Sequence, residues 1–103
     1  MKYIILILSS LQVFLFTISA GADCVYCNFD GKNFPNFILK DQNLSHASFK
    51  GAYLVYADFS GANLQGSVFD GAYANGANFA GAQLDNSSFK NVELELANFK
   101  NAT

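Results

Sequence analysis

The two cysteines are the residues in this chain most suited to chemistry, and they lie three positions apart in the segment D-C-V-Y-C-N. A C-x-x-C pair can act as a redox dithiol, attach haem, ligate zinc or form a structural disulfide. Haem attachment needs a histidine where Asn28 stands, and two cysteines with one distant histidine do not make four zinc ligands. A redox dithiol is expected at a helix N-terminus beside a βαβ unit. We therefore predict that Cys24 and Cys27 form a structural disulfide and that the chain has no metal site.

The remaining polar residues show no catalytic arrangement. His46 is the only histidine, and no Cys-His or Ser-His-Asp pattern is recognisable around it. We predict that His46 is a solvated surface residue, and we predict no catalytic residue, no cofactor and no enzymatic activity. Charged residues recur every 20 positions, which predicts a column of alternating sign that sets register more than function. This column is Asp30, Lys50, Asp70 and Lys90.

The N-terminal segment, residues 1–22, resembles a targeting segment. A lysine at position 2 precedes an apolar stretch, and Ala20-Gly21-Ala22 fits an A-x-A cleavage site. We predict a signal peptide over residues 1–22 and a mature chain that begins at Asp23. The alternative is an uncleaved anchor, but polar residues interrupt the apolar run before it is long enough for a membrane-spanning helix. The expected location is therefore secreted or periplasmic, with no membrane contact after cleavage.

The charge of the chain argues against nucleic acid as a partner. The whole chain has six lysines, no arginine and a formal net charge of −2. Removal of residues 1–22 leaves five lysines against eight acidic residues. Because phosphate binding requires a basic stripe, we predict that the protein binds no nucleic acid.

A period of five residues runs from Cys27 to the end of the chain. In each pentad the second residue is Phe or Leu, with Ala74 as the exception, and from Ala47 onward the fifth is a small residue, most often Ala. Neither a straight helix nor a straight strand keeps a five-residue period on one face. The pattern therefore predicts a solenoid that turns after every pentad, with Gly, Asn and Asp at one phase supplying the turns.

The large residues also indicate how many sides each turn of the solenoid has. Phe and Leu alternate from Leu44 to Phe99, so the true period is two pentads and the number of sides must be even. Four sides place the large residue of every fourth pentad in the same column. The predicted columns are Phe29, Phe49, Phe69 and Phe89; Leu39, Phe59, Phe79 and Phe99; Leu44, Leu64 and Leu84; and Phe34, Leu54, Ala74 and Leu94. We call the wall built on the last column the irregular wall.

The segments ADFSGANLQGS, GANFAGAQL and ELANFKNA resemble the A-(D/N)-(L/F)-x-x consensus of the pentapeptide-repeat family. This resemblance covers essentially all of residues 23–103. It implies an all-β fold, a right-handed quadrilateral β-helix, which at four pentads per coil would contain just under four coils. Lys32, Phe37 and Gln42 stand where the consensus has Ala, so we expect the opening coil to be looser or bulged.

Two functions remain open at this level. The first is a non-catalytic exported module that docks an unknown protein partner. Its support is a group of apolar and aromatic residues at outward positions of the irregular wall, which predicts a contact surface. This group is Tyr53, Val55, Tyr56, Tyr73 and Leu96. The alternative comes from the resemblance, because some members of the family resemble DNA and bind topoisomerases. The uncapped C-terminal coil near Phe99 is also a candidate edge for self-association.

Overall fold

The computed structural model describes residues 2–7, 13–18 and 24–103. Strand β1, Lys2–Ile7, pairs antiparallel with β2, Val13–Ile18, in a register that sets Lys2 opposite Ile18. The proposed cleavage site at residues 20–23 lies outside the described residues. Among the residues that are described, no helix is long and apolar enough to cross a membrane.

Residues 24–103 form a solenoid whose adjacent coils are joined by parallel β-bridges between residues 20 positions apart. The series begins with Asn28 paired to Ser48 and continues every five residues to Asn78 paired to Asn98. At each bridge, backbone N–H groups donate to carbonyls of the adjacent coil, as in Phe29 N to Ser48 O at 2.7 Å. The 20-residue spacing is the one that the column assignment requires.

One residue per pentad turns the chain with a positive φ. Seven of these positions hold glycine, for example Gly71 with φ of 72°. Asn and Asp occupy several others, as their tolerance of the left-handed region predicts. Four such positions hold residues that the composition of the turns does not predict, and all four are exposed. They are Tyr26, His46, Tyr56 and Leu96.

Asn or Asp before the large residue stabilises the turn that follows it. Its side-chain oxygen accepts a hydrogen bond from the backbone N–H two residues later, as from Asp30 N to Asn28 Oδ1 at 2.9 Å. Asp58 accepts from Ser60 N in the same way, also at 2.9 Å. This Asx-turn explains physically why the repeat favours Asn or Asp at this position.

The core consists of large side chains from the four walls and small side chains at the corners. Phe rings stack within a column, with centroids of Phe49 and Phe69 at 4.8 Å, and meet the neighbouring Phe column edge to face, with Phe49 and Phe59 at 5.4 Å. Burial is complete in the middle of the solenoid and falls toward its ends. Phe29, Leu84, Phe89 and Leu94 are half-buried, and Phe99 is 37% exposed.

The opening coil, which we expected to be looser or bulged, has no bulge. Bridges continue in register through residues 28, 33, 38 and 43. Phe37 is buried and packs on Phe34, with ring centroids at 4.5 Å, while Lys32 extends into solvent. Phe37 fits here because its ring also contacts Phe29, with ring centroids at 6.4 Å. Gln42 is also buried, and its Oε1 has no hydrogen-bond partner among the described residues.

Candidate interaction surface

The two cysteines are joined at the start of the first coil. Cys24 and Cys27 form a disulfide with Cα atoms 5.3 Å apart. Both side chains are half-buried, and Cys24 packs against the hydrophobic core. The same segment is tied to the next coil by Cys24 N, which donates to Asn43 O at 3.0 Å. With both sulfurs in this bond, the pair has no free thiol, and its place in the fold suits a role in holding the first turn closed.

His46 lies at an exposed corner below this disulfide. Its ring stacks on Tyr26, with centroids 4.8 Å apart and an interplanar angle of 10°. On the other side it covers Gly66, where an added Cβ would strike the imidazole. Within the described residues, no group of three or more His, Cys, Asp or Glu side chains is placed to hold a metal ion. The contacts of His46 are therefore those of a corner residue that packs between coils.

The charged column forms as predicted in position, but its contacts differ from the expected pairs of opposite charge. Asp70 Oδ1 accepts hydrogen bonds from Ser88 Oγ at 2.5 Å and from the backbone N of Lys90 at 3.0 Å. Asp30 makes the same two contacts with Ser48 and Lys50. The bond from Ser88, and next the bond from the Lys90 backbone, lower the pKa of Asp70 below its ordinary 3.8. These carboxylates therefore link adjacent coils through backbone and hydroxyl donors.

The irregular wall carries exposed aromatic residues next to one another. Tyr53 and Tyr73 pair in register on adjacent coils, are 45% and 44% exposed, and have ring centroids 6.2 Å apart. Tyr56 and Leu96 are more exposed still and stand at the corner that borders this wall, both with positive φ. Val55 is half-buried. The five residues chosen from the sequence thus divide into a wall pair, a partly covered valine and two corner residues.

Acidic residues follow Tyr53 and Tyr73 on the next coil of the irregular wall. They are not among the residues predicted from the sequence. Glu93 pairs in register with Tyr73, and Glu95 lies two residues further on. Asn75 connects them, because its Nδ2 donates to Glu93 Oε2 at 3.2 Å and its Oδ1 accepts from Glu95 N at 2.9 Å. The signal that could have found them is the 20-residue spacing, which places Glu93 below Tyr53 and Tyr73. The acidic side chain of Glu93 sets it apart from the apolar outward residues that the sequence highlights.

Exposed apolar side chains also occur away from this wall. Ile38 is 48% exposed on the wall of the Leu39 column, and Val25 and Tyr26 are exposed near the disulfide. Exposed single residues of this kind are normal on protein surfaces. The irregular wall differs because two exposed aromatic residues are adjacent on it and a third lies at its corner.

The sequence profile described as "Pentapeptide repeat region" matches residues 23–99. Among solved structures, the chain is similar to a pentapeptide repeat protein from the thylakoid lumen of Arabidopsis thaliana, with 29% identity, a TM-score of 0.58, and coverage of 78% of this chain and 59% of that one. It therefore spans under two thirds of that relative. A protein from the cyanobacterium Cyanothece 51142 matches at 22% identity over 79% of this chain and 90% of its own, with a TM-score of 0.34.

HetL, from the cyanobacterium Nostoc sp. strain PCC 7120, matches at 20% identity over 77% of this chain and 43% of its own, with a TM-score of 0.39. No curated protein matches the sequence. Proteins of this repeat type form right-handed quadrilateral β-helices, in agreement with the 20-residue bridge spacing. With a profile match over residues 23–99 and this repeat geometry, the chain belongs to the pentapeptide-repeat family.

Proposed function

We propose that the protein is a non-catalytic, exported module that docks a protein partner on its irregular wall. The observation that carries the proposal is the exposed pair Tyr53 and Tyr73, in register on adjacent coils, with Tyr56 at the bordering corner. Tyrosine is enriched at protein interfaces because it combines a large apolar surface with a polar hydroxyl. A regular array of parallel bridges holds these side chains in a fixed spacing, which lowers the entropy cost of binding.

Export is part of the proposal. It takes residues 1–22 as a cleaved signal peptide and residues 23–103 as the mature β-helix of just under four right-handed coils. The disulfide between Cys24 and Cys27 supports an oxidising compartment, such as the periplasm or the extracellular space. A structural relative from the thylakoid lumen is compatible with a location outside the cytoplasm. The DNA-mimic alternative rests on the family alone, and the mature chain, with five lysines against eight acidic residues, has a net charge of only −3.

The test compares partner capture by exported protein and by two variants. Tyr53→Asp with Tyr73→Asp places charge on the irregular wall, whereas Ile38→Asp places charge on an equally exposed apolar site of another wall. We expect crosslinking in the exporting compartment to recover a partner with the wild type and with Ile38→Asp, and to lose it with the double variant. Circular dichroism and urea unfolding check that all three proteins are folded. Equal capture by all three proteins would show that the irregular wall is not the docking surface.

A further inference from the structure

The irregular wall has a pronounced chemical polarity along the solenoid axis. Its bridge positions run from Asn33 through Tyr53 and Tyr73 to Glu93, each in register with the next. Adjacent strands in a sheet are about 4.8 Å apart, so the Glu93 backbone lies about one strand spacing from Tyr73 and about two from Tyr53. The aromatic surface of Tyr53 and Tyr73 therefore lies directly beside the carboxylate of Glu93. One extended peptide segment is long enough to contact both.

The charge within this wall is acidic. The wall segments 33–36, 53–56, 73–76 and 93–96 read NFPN, YLVY, YANG and ELEL, with two acidic residues and no basic residue, and Lys32 immediately precedes the first of them. Glu93 and Glu95 are both exposed. The Glu93 carboxylate accepts a hydrogen bond from Asn75 Nδ2, whereas Glu95 donates to Asn75 Oδ1 through its backbone N–H. Among the described residues, neither carboxylate meets a lysine ammonium. The wall thus presents negative charge that is available to a partner.

We propose that the irregular wall binds an extended, cationic segment of a partner protein, with Lys or Arg side chains against Tyr53 and Tyr73 and against Glu93 and Glu95. The inference rests on the proposed function and specifies its partner. The faces of tyrosine rings carry partial negative charge and attract ammonium and guanidinium groups. Carboxylates accept strong, charge-assisted hydrogen bonds from the same groups, and a guanidinium can engage them with two donors.

The two features favour one kind of occupant over others. An acidic or phosphate-bearing partner would be repelled by Glu93 and Glu95. A purely apolar partner would bury these carboxylates without a counter-charge, which is costly. A peptide with basic residues at alternate positions fits both features, because side chains on one face of an extended chain repeat about every 7 Å. Such a peptide can place one cation on the tyrosine pair and the next at the carboxylates.

The test measures peptide binding to the disulfide-bonded protein by fluorescence anisotropy. The probe is a fluorescein-labelled peptide of alternating arginine and valine, compared with a peptide in which citrulline replaces arginine and one in which glutamate does. Citrulline keeps the shape of arginine and removes its charge. We expect the arginine peptide to bind on the order of tenfold more tightly than the citrulline peptide, and the glutamate peptide not to bind. Raising the salt concentration should weaken the arginine peptide most.

Two sets of variants locate the binding. Glu93→Gln with Glu95→Gln removes the charge, and Tyr53→Leu with Tyr73→Leu keeps apolar bulk but removes the aromatic faces. Each is expected to weaken arginine-peptide binding by about tenfold. The matched control, Asp85→Asn, removes an exposed carboxylate on the wall of the Leu44 column and should leave binding unchanged.

The outcomes separate this inference from the proposed function. Equal binding of the arginine and citrulline peptides, or an effect of Asp85→Asn equal to that of the glutamate variants, would overturn the cationic assignment. If crosslinking captures a partner through Tyr53 and Tyr73 while Glu93→Gln with Glu95→Gln captures it equally well, docking stands and the cationic assignment fails. Loss of capture in both the tyrosine and the glutamate variants, together with selective arginine-peptide binding, supports both.

Discussion

At the scale of single residues, the outward polar side chains form hydrogen bonds with backbone groups more often than with each other. Asn28 and Asp58 close turns within their own pentads, while Asp30 and Asp70 accept hydrogen bonds from backbone groups of the next coil. A solenoid depends on correct stacking of coils, and a carboxylate that accepts from two donors of the next coil favours one register. Asp30 and Asp70 therefore contribute to coil stacking through their carboxylate oxygens, and Lys50 and Lys90 contribute through their backbone N–H groups.

A pH-dependent contribution from Asp70 follows from its hydrogen bonds. Ser88 Oγ and Lys90 N donate to the carboxylate and lower its pKa in the folded state below 3.8. A group with a depressed folded pKa stabilises the protein above its unfolded pKa, and this contribution is lost as the pH falls through the folded value. We expect Asp70→Ala to lower the urea midpoint at neutral pH, and the gap from wild type to shrink below about pH 4. Urea unfolding at a series of pH values measures this gap.

The control for this prediction is Asp85→Ala, which removes an exposed carboxylate that receives a longer bond of 3.2 Å from Gln65 Nε2. It should lower the urea midpoint less than Asp70→Ala does at neutral pH. A gap between Asp70→Ala and wild type that stays constant from neutral to strongly acidic pH would contradict the prediction.

At the scale of the repeat element, the corner residues of successive coils are coupled. Tyr56 lies across Gly76 and His46 lies across Gly66, so that a Cβ at either glycine would strike the ring of the coil before it. Asp41 covers Gly61 in the same way. At these corners glycine meets two demands, a positive φ and space for a side chain from the adjacent coil. At Gly71 it meets only the first, because the nearest atom to an added Cβ is Gly51 N at 3.9 Å.

Replacement of two glycines by alanine separates these demands. Gly71→Ala should cost about 1 kcal/mol, since alanine is strained at positive φ. Gly76→Ala has the same strain, with φ of 71° against 72°, and must also displace the Tyr56 ring. We expect Gly76→Ala to be the more destabilising, with the excess removed in a Tyr56→Ala background, a coupling of about 0.5 to 1 kcal/mol. Urea unfolding of the four proteins of this cycle measures it.

The exposed Tyr56 ring can swing into solvent, and this limits the expected coupling. If Gly71→Ala and Gly76→Ala lower the free energy of unfolding equally, the Tyr56 ring moves aside at no cost. The loss then comes only from the strain of alanine at positive φ. A Gly76→Ala excess that persists without the Tyr56 ring would assign the strain to another contact.

At the scale of the whole molecule, the sequence predicts what depends on periodicity and misses what depends on particular neighbours. Phe and Leu recur because each wall needs one large inward side chain, so the columns could be assigned from spacing alone. The filling of the first coil by Phe37 could not, because it depends on space above Phe29 and Phe34 that no period encodes. The corner positions of Tyr56 and Leu96 and the place of Glu93 below the tyrosines do follow from the period. The hydrogen bonds of Asn75 to Glu93 and Glu95 do not, because they depend on contacts between two specific coils.

Ala74 is the one position where the period predicts a large core residue and the chain lacks it. If neighbouring rings had moved into the space, Phe69 and Phe79 would lie closer together than equivalent pairs. Their centroids are 5.5 Å apart at 86°, against 5.4 Å at 86° for Phe49 and Phe59, which flank Leu54 in the coil before. Stacking at 4.8 Å on Phe49 and 5.1 Å on Phe59 holds both rings in their columns. The space left by the smaller side chain is therefore not taken up by these rings.

Ala74→Leu should accordingly stabilise the protein. Burial of the added methyl groups where rings already define the walls of the space is expected to contribute about 1 kcal/mol or more. The matched control is Ala77→Leu, a buried alanine at a small-residue corner of the same pentad. No column is interrupted there, so overpacking should cost about 1 to 3 kcal/mol. Urea unfolding distinguishes the two, with the midpoint raised for Ala74→Leu and lowered for Ala77→Leu at unchanged slope. A fall in both midpoints would show that the core is already closely packed around Ala74. The backbone at Ala74 would then lie nearer the solenoid axis than the backbone at Leu54.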